Sequence, residues 1–240
     1  MTAAILVIGN EILSAKITDL NSNYLIKELR TLGVTVGGVF ILPDDEKSIA
    51  SLLKRIHPLF DTIFTTGGIG PTHDDVTIAG IARGFKSCLK RNEEYEKLIE
   101  KFFETEVKES VLKMAELPEE TELIKADETI IPVIKIRNCF VLPGYPPLFE
   151  KQFQAIRDQF KSEPFQTKTV YLTIGEEEIS SILEQADHLY SEVQVGSYPD
   201  YRHKNYKNKV VIDSKNEELN QKVLDFLLER IPKQFIFKVE

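Results

Sequence analysis

The chain has 240 residues, of which 42% are hydrophobic and 28% charged, and this composition predicts a globular protein with one large domain or two smaller ones. Its formal net charge of −8 argues against a basic nucleic-acid-binding surface, so no nucleic acid is expected among its partners. The N-terminal apolar run has no basic segment before it, and no stretch reaches the ~18–20 apolar residues of a transmembrane helix. The sequence therefore predicts a cytoplasmic protein with no membrane partner.

The first half of the chain alternates predicted strands with amphipathic segments. A short apolar run predicts a buried strand at residues 3–8, and residues 34–42 and 61–66 are predicted as the second and third strands. Apolar residues at helical spacing predict helices at residues 20–32, 44–56 and 76–85. This β-α-β-α-β-α order predicts an α/β fold with a mostly parallel sheet and helices on both of its faces.

The second half is predicted to contain the rest of this domain and a small second unit. Up to residue 160 we expect one or two amphipathic helices at 92–115, a charged loop at 116–127, a strand at 129–142 and a helix at 147–160. A boundary near residues 162–166 divides the chain into domains 1–165 and 166–240. The second domain is predicted as β-α-β-β-α-β, a small α+β unit, with strands at 168–174, 193–197, 208–212 and 234–239 and helices at 176–190 and 215–230.

A glycine-rich segment at residues 65–77, TTGGIGPTHDDVT, lies between a predicted strand and a predicted helix, where open α/β sheets bind ligands. Its glycines allow the backbone to approach a ligand and to point several N–H groups at it. The N-terminus of the following helix favours an anion. The residues expected to bind a phosphate are Thr66, Gly67, Gly68, Gly70, Pro71 and Thr72. The alternative is a tight turn in which Asp75 caps the helix.

Two pairs of aspartates are predicted to lie near this segment. Asp74 and Asp75 belong to it, and Asp44 and Asp45 end the neighbouring strand. Carboxylates beside a phosphate repel it unless a cation bridges them, so we expect these four residues to hold a divalent metal ion, Mg²⁺, Mn²⁺ or Co²⁺. The metal would polarise the phosphorus atom and orient a water molecule for attack. The rival role of Asp44 is a helix N-cap, and both roles are satisfied if Asp45 caps the helix while Asp44 faces the site.

Two further segments leave predicted strands at the same edge of the sheet. The residues expected to contact a base, a ribose or the metal after the first strand are Gly9, Asn10, Glu11, Asp19 and Asn21. Asp19 is equally suited to cap the following helix. Pro143 and Gly144 form a rigid turn after a later strand. They are expected to contact the substrate, with a simple turn as the alternative.

Several of these segments together resemble one known family. They are GNEIL at 9–13, PDD at 43–45, the segment at 65–77, LPGYP at 142–146 and GSYPD at 196–200. The chain is similar over nearly its whole length to the MoaB/Mog family of molybdopterin-binding-like domains. Within that family it most resembles the CinA-type branch and the molybdopterin-binding-like domain of animal FAD synthases. A departure is Ala15, where the family often has glycine.

The resemblance implies a three-layer α/β/α domain with a small KH-like α+β unit after it, and self-association into a homo-oligomer. It implies that Asp44 and Asp75 are the catalytic residues and that the substrate is a small-molecule nucleotide or a pterin. The first hypothesis is metal-dependent hydrolysis of a nucleotide diphosphate bond, which releases AMP from FAD or ADP-ribose. The alternatives are a molybdopterin-binding protein or molybdenum-cofactor-related transferase, and a non-catalytic nucleotide-binding regulatory module.

A KH-like unit raises the question of RNA binding. Residues 166–240 contain no GXXG loop and hold 10 lysines and arginines against 13 acidic residues. A local basic run comprises Arg202, Lys204, Lys207 and Lys209. A solvated hairpin is the favoured interpretation of this run, and contact with substrate phosphates or a neighbouring subunit is the alternative.

Overall fold

The computed structural model describes residues 1–103, 107–125 and 131–240. The chain forms two compact units, Met1–Ser162 and Glu163–Glu240. The strands of the first unit are β1 (Thr2–Ile8), β2 (Thr35–Leu42), β3 (Thr62–Thr66), β4 (Leu89–Arg91), β5 (Glu116–Pro118), β6 (Thr121–Ile124), β7 (Val133–Ile136) and β8 (Cys139–Leu142). Its helices are α1 (Asn10–Leu13), α2 (Asn21–Thr31), α3 (Glu46–Ile56), α4 (Thr77–Phe85), α5 (Glu93–Phe103), α6 (Glu109–Leu112) and α7 (Pro146–Ile156), with 3-10 turns at Lys113–Ala115 and Arg157–Phe160.

The central sheet of this unit has the strand order β2-β1-β3-β8-β7-β6 in the described residues. The strands β2, β1, β3 and β8 are parallel, whereas β7 and β6 pair antiparallel at one side. Ile8 pairs with Leu42, and Thr66 pairs with both Val7 and Leu142. The carboxyl ends of the four parallel strands therefore meet at a single edge, where open α/β sheets bind ligands.

Alternating side chains of β1 enter two separate cores. Leu6 and Ile8 pack in a core with residues of α3, α4 and α5. Ile5 and Val7 pack in a second core with residues of α2 and α7. This alternation follows from the two-residue period of a strand. It confirms the predicted three-layer arrangement, with a mostly parallel sheet between helices.

The connections between residues 92 and 142 differ from the prediction in two places. The segment predicted as a loop at 116–127 contains β5, which pairs antiparallel with β4, and β6. The single strand predicted at 129–142 is wrong, because β7 and β8 form a hairpin there. Its turn depends on Arg137, which adopts a φ of 54°, and on Asn138, whose side-chain amide donates to carbonyl groups of the α3–β3 connection. Parts of these predictions, at 104–106 and 126–130, lie outside the described residues.

The second unit has the predicted β-α-β-β-α-β order. Its elements are β9 (Gln166–Leu172), α8 (Ser180–Leu189), β10 (Gln194–Pro199), β11 (Asn208–Ser214), α9 (Glu217–Arg230) and β12 (Ile236–Val239), with a 3-10 turn at Lys233–Phe235. The strands form an antiparallel sheet in the order β10-β11-β9-β12. The basic run lies on the β10–β11 connection and the start of β11, and three of its four side chains are exposed. In the described parts of the chain, no helix is long and apolar enough to cross a membrane.

Candidate functional site at the carboxyl edge of the sheet

A tight turn of two glycines follows β3. Gly67 has a φ of 94° and Gly68 a φ of 64°, both in the left-handed region that favours glycine. A Cβ atom on Gly67 would lie 2.2 Å from the carbonyl oxygen of Ile8, and one on Gly68 would lie 2.4 Å from Oγ1 of Thr77. The turn therefore requires glycine at both positions, for its backbone conformation and for its close approach to β1 and α4.

The buried residue Thr77 fixes this turn to the first residue of α4. Its Oγ1 donates to the Gly67 carbonyl at 2.8 Å, and its N–H donates to the Gly68 carbonyl at 3.0 Å. The backbone N–H groups of Gly68, Ile69 and Gly70 have no acceptor among the described residues. Successive backbone N–H groups beside a helix N-terminus form an anion-binding concavity. The glycine segment can thus accept a phosphate without rearrangement of its hydrogen bonds.

A cleft lies on each side of the turn. The first cleft, of about 320 Å³, lies between β1, the start of α2 and the β8–α7 connection, and Gly67 lines it. The second cleft, of about 270 Å³, lies on the α4 and α5 side, and Gly68 lines it. The turn therefore separates two cavities that both open beside its backbone.

The two clefts bring together most, but not all, of the residues singled out in the sequence. The first cleft is lined by Glu11, Asp19, Asn21, Thr66, Gly67 and Gly144. The second cleft is lined by Gly68, Gly70, Pro71, Thr72 and Asp75. The residues singled out that line neither cleft are Gly9, Asn10, Asp44, Asp45, Asp74 and Pro143.

Several residues outside the clefts hold the edge together. The Gly9 N–H donates to the Leu42 carbonyl at 3.1 Å, which ties β1 to β2. The Asn10 N–H donates to Oδ2 of Asp44 at 2.8 Å. Asp45 caps α3, since its Oδ2 accepts the Ser48 N–H at 2.7 Å, and this bond holds the pKa of the Asp45 carboxyl below its usual value. Asp45 thus fills the capping role, while Asp44 faces the end of β1.

Asp75 does not cap α4, so that alternative is wrong. The N-cap residue is Val76, and Oδ2 of Asp75 instead accepts the N–H of Thr72 at 2.8 Å and its hydroxyl at 2.5 Å. The Thr72 hydroxyl also lies 2.5 Å from Oδ1 of Asp74 and lowers the pKa of that exposed carboxyl. Asp75 is held against Gly70, where a Cβ atom would lie 2.8 Å from its Oδ2. These contacts direct Asp75, but not Asp74, toward the second cleft.

The predicted set of four aspartates is not gathered into a preformed metal cage. Across residues 1–103, 107–125 and 131–240, no group of three or more His, Cys, Asp or Glu side chains could hold a metal ion. In both Asp44 and Asp75, Oδ2 accepts a hydrogen bond from a neighbouring backbone N–H. The other carboxylate oxygen, Oδ1, accepts no hydrogen bond from the described residues in either case. Each of these two carboxylates therefore keeps one oxygen that a divalent ion could take if its other ligands were phosphate oxygens and water.

The first cleft is braced by two residues at the start of α2. Asp19 lines the cleft and accepts hydrogen bonds from the N–H of Ser22 at 3.0 Å and from its hydroxyl, although the N-cap residue of α2 is Leu20. Asn21, which is buried, donates to Thr66 Oγ1 and to the Gly144 carbonyl. Gly144 lies so close to the glycine turn that a Cβ atom on it would sit 3.3 Å from the Gly67 Cα.

One wall of the second cleft was not predicted from the sequence. It is lined by Tyr95 of α5 and, before and in β5, by Lys113, Met114 and Glu116. The helical spacing of Tyr95 predicts only a core position. Its burial agrees with that prediction, but a cavity beside a core residue has no signal in the sequence.

Comparison with known proteins identifies the family. A family described as "Probable molybdopterin binding domain" matches residues 4–161, and the "FAD synthase, middle domain" family matches residues 164–240. The chain belongs to the probable molybdopterin binding domain family. The resemblance to the MoaB/Mog family and its CinA-type and FAD synthase-like members is thereby confirmed.

Individual members of these groups agree with this assignment. A "Probable FAD synthase" of Caenorhabditis elegans is 30% identical over 98% of this chain and 51% of its own length. A protein of Archaeoglobus fulgidus is 34% identical over 83% of this chain and 86% of its own. The crystal structure of the protein CinA, of unknown function, from Thermoplasma acidophilum matches 66% of this chain and 97% of its own with a TM-score of 0.61 and 26% identity. The chain spans about half the length of the Caenorhabditis elegans protein and of the "Probable FAD synthase" of Caenorhabditis briggsae.

Proposed function

We propose that this protein binds a nucleotide whose two halves are joined by a diphosphate, and that it hydrolyses that diphosphate to release AMP. The proposal rests on the two clefts that flank the Gly67–Gly68 turn. A ligand with an organic group on each side of an anionic bridge matches this arrangement. FAD and ADP-ribose both have that form, and both contain an AMP half.

The glycine segment would bind the diphosphate. The N–H groups of Gly68, Ile69 and Gly70 are oriented by the two bonds from Thr77 to the turn. Their partial positive charge adds to that of the α4 N-terminus, and both favour an anion at this position. The diphosphate would thus lie across the turn, with one half of the nucleotide in each cleft.

Asp75 and Asp44 would supply the catalytic carboxylates. Asp75 lines the second cleft beside the glycine segment, and Thr72 holds its orientation through two hydrogen bonds. In this position it can accept the proton of a water molecule that attacks phosphorus. A divalent cation held by Asp44, Asp75 and the ligand's own oxygens would supply charge neutralisation of the diphosphate. Asp45 and Asp74 would contribute negative charge to the same edge.

The reaction adds one water molecule across the P–O–P bond. FAD would give FMN and AMP, and ADP-ribose would give ribose 5-phosphate and AMP. A product assay tests this directly: the purified chain is incubated with FAD, ADP-ribose or NAD and with Mg²⁺, Mn²⁺ or Co²⁺, and AMP is quantified by chromatography. We expect AMP from FAD or ADP-ribose only when a divalent metal is present.

Two variants separate catalysis from folding in this assay. Asp75→Asn keeps an acceptor for the Thr72 N–H but removes the negative charge, and we expect a loss of turnover of about 100-fold or more. Asp158→Asn makes the same chemical change at an exposed residue that pairs with Lys161, and its turnover should equal that of the wild type. Equal turnover in Asp75→Asn and the wild type would remove Asp75 from the mechanism.

A pterin is the second candidate ligand. The family that matches residues 4–161 is described as a probable molybdopterin binding domain, and a pterin with an attached phosphate has the same chemical parts as half of a dinucleotide. Tight binding of molybdopterin together with no AMP release from any nucleotide would favour this candidate. Self-association is also part of the proposal, and sedimentation velocity of the purified chain would detect it.

A further inference from the structure

The sheet of the second unit has one face covered by helices and one open face. Val170 and Leu172 of β9 and Val210 of β11 pack with α8 and α9 in the core of this unit. Tyr171 lies between the two β9 residues, and Lys209 directly precedes Val210, so both project from the opposite face. Tyr171 and Lys209 are partly exposed, and the face from which they project, the open face, is therefore accessible to a ligand.

A row of alternating tyrosines and lysines crosses the open face. Tyr198 of β10 pairs with Lys209 of β11, which pairs in turn with Tyr171 of β9. Tyr171 also pairs with Lys238 of β12, whose Nζ lies 5.9 Å from the centre of the Tyr171 ring. Residues directly opposite each other on antiparallel strands project from the same face of the sheet. Since neighbouring strands are ~4.8 Å apart, the two tyrosines of the row are separated by about 10 Å, with a lysine between them.

Further aromatic side chains on the β10–β11 connection extend this row. The ring of Tyr206 lies 5.0 Å from that of Tyr171 in an edge-to-face arrangement and stacks on His203 at 3.8 Å. Tyr198 is 55% exposed and Tyr201 is 68% exposed. Gly196 leaves room for the Tyr198 ring beside the strand, because a Cβ atom there would lie 2.8 Å from that ring. The open face thus offers exposed aromatic rings on which another flat ring can stack.

The basic run on the same connection supplies positive charge. None of its four side chains forms an ion pair with another residue in the described ranges, whereas Lys222 of α9 pairs with Glu218. Two carboxylates lie close by: Asp200 accepts the backbone N–H of Arg202, and Glu240 accepts the Tyr171 hydroxyl and pairs with Lys238. With Lys238 balanced by Glu240, the cations of the run still outnumber Asp200, so the open face is positively charged.

We propose that the open face of the second unit binds a single strand of nucleic acid, with bases stacked on Tyr198 and Tyr171 and phosphates paired with Lys209 and the basic run. The proposal is independent of the proposed function, because all of these residues belong to the second unit. It departs from the expectation of no nucleic-acid partner, which rested on the net charge of −8 for the whole chain. That sum conceals the local grouping of cations beside aromatic rings.

The combination of rings and cations favours nucleic acid over an acidic peptide. A four-stranded antiparallel sheet that presents aromatic rings to successive bases is a recurrent platform for single strands. Base stacking on such rings tolerates any sequence, and lysines and arginines neutralise the phosphates between the bases. An acidic peptide would use the cations alone and would gain nothing from the exposed tyrosine rings.

Fluorescence anisotropy of a labelled uridine RNA of about 12 nucleotides, and of the matching thymidine DNA, tests the proposal on the full chain. We expect both single strands to bind. A duplex of the same length should bind more weakly, because its bases are stacked on each other and cannot stack on tyrosine. A peptide of glutamates with the same number of charges is the probe for an acidic partner, and it should also bind more weakly.

Two pairs of variants separate stacking from charge. Tyr198→Ala should weaken single-strand binding about 5- to 100-fold, whereas Tyr198→Phe keeps the ring and should bind like the wild type. Lys209→Gln should reduce the slope of the logarithm of the association constant against the logarithm of salt concentration by about 0.7, the value for one phosphate contact. Lys222→Gln removes the same charge from α9, on the covered side of the sheet, and should leave the slope unchanged.

Three results overturn the proposal. They are no binding of either single strand at low salt, unchanged affinity in Tyr198→Ala, and binding of the glutamate peptide as tightly as of the single strands. AMP release from FAD is a separate measurement on the first unit. It should be equal in all four variants, because none of the substituted residues lines either cleft.

Discussion

The side-chain amide of Asn21 donates a hydrogen bond to Oγ1 of Thr66 at 2.8 Å and a second one to the Gly144 carbonyl at 2.9 Å. Thr66 Oγ1 donates in turn to the Pro143 carbonyl at 3.0 Å. These bonds join the start of α2, the end of β3 and the connection after β8. Asn21 and Thr66 are both buried, so water does not compete with this network, and the shape of the first cleft depends on it.

Replacement of Thr66 by valine tests the network with little change in volume. The variant loses the hydroxyl that accepts from Asn21 and donates to Pro143, which leaves buried polar atoms unpaired. We expect a loss of about 1–3 kcal/mol in the free energy of unfolding, measured by urea denaturation. Thr62→Val is the matched control, because the buried Oγ1 of Thr62 has no partner in the described residues, and it should cost less. Equal losses in the two variants would contradict the role of the network.

The glycine turn predicts a contrast between two glycine substitutions. Gly67→Ala carries two penalties. The alanine must adopt a left-handed φ, and its Cβ atom would lie 2.2 Å from the Ile8 carbonyl oxygen. Gly33→Ala meets the same kind of backbone penalty at a φ of 75°, at the end of α2 and outside both clefts, and should cost about 1–2 kcal/mol. We expect Gly67→Ala to cost more stability and to abolish nucleotide binding, while Gly33→Ala binds normally. Binding is measured by calorimetric titration with ADP-ribose. Equal affinity in the two variants would contradict a role of Gly67 in nucleotide binding.

The Asp45 cap predicts a dependence of stability on acid pH. The Ser48 N–H holds the pKa of the Asp45 carboxyl below its usual value, so the charged form favours the folded state. The stabilisation from ionised Asp45 is fully present above the usual carboxyl pKa. It is lost as the pH falls through the lower pKa that this carboxyl has in the folded protein. The urea midpoint of the wild type should therefore fall over this acid range.

Asp45→Asn isolates that contribution, since asparagine also caps helices but does not ionise there. Its urea midpoint should stay near the wild-type value at neutral pH and should fall less steeply in acid. If the urea midpoints of the two proteins fell by equal amounts in acid, Asp45 would not be the source of this pH dependence.

The sequence pattern predicted the parallel half of the fold because β1 is a continuous apolar run and the strands β1, β2 and β3 alternate with amphipathic helices. It failed at the β7–β8 hairpin, since a turn formed by Arg137 and Asn138 lacks the glycine or proline that usually marks one. The turn at Ala15 was likewise not predicted, because alanine gives no turn signal. Ala15 adopts a φ of 56°. This left-handed conformation explains why the family often has glycine at this position.

The candidate site was predictable where residues follow parallel strands in the chain. Glycine and aspartate motifs after β1, β2 and β3 were expected at one edge, and the sheet brings them there. The sequence did not determine which carboxylate would turn toward a cleft. Asp75 was as good a helix cap as Asp45, and only the bonds to Thr72 separate their roles. Tyr95 was predictable as buried but not as a cleft residue, because the cleft is formed by segments distant in the chain.

The most direct test of the diphosphate site is nuclear magnetic resonance of isotope-labelled protein titrated with ADP-ribose in the absence of metal. A diphosphate bound at the glycine segment would accept hydrogen bonds from the N–H groups of Gly68, Ile69 and Gly70. We therefore predict that the amide signals of these three residues shift more than those of the rest of the chain. Binding that shifts signals elsewhere and leaves these three unchanged would contradict a diphosphate site at the glycine segment.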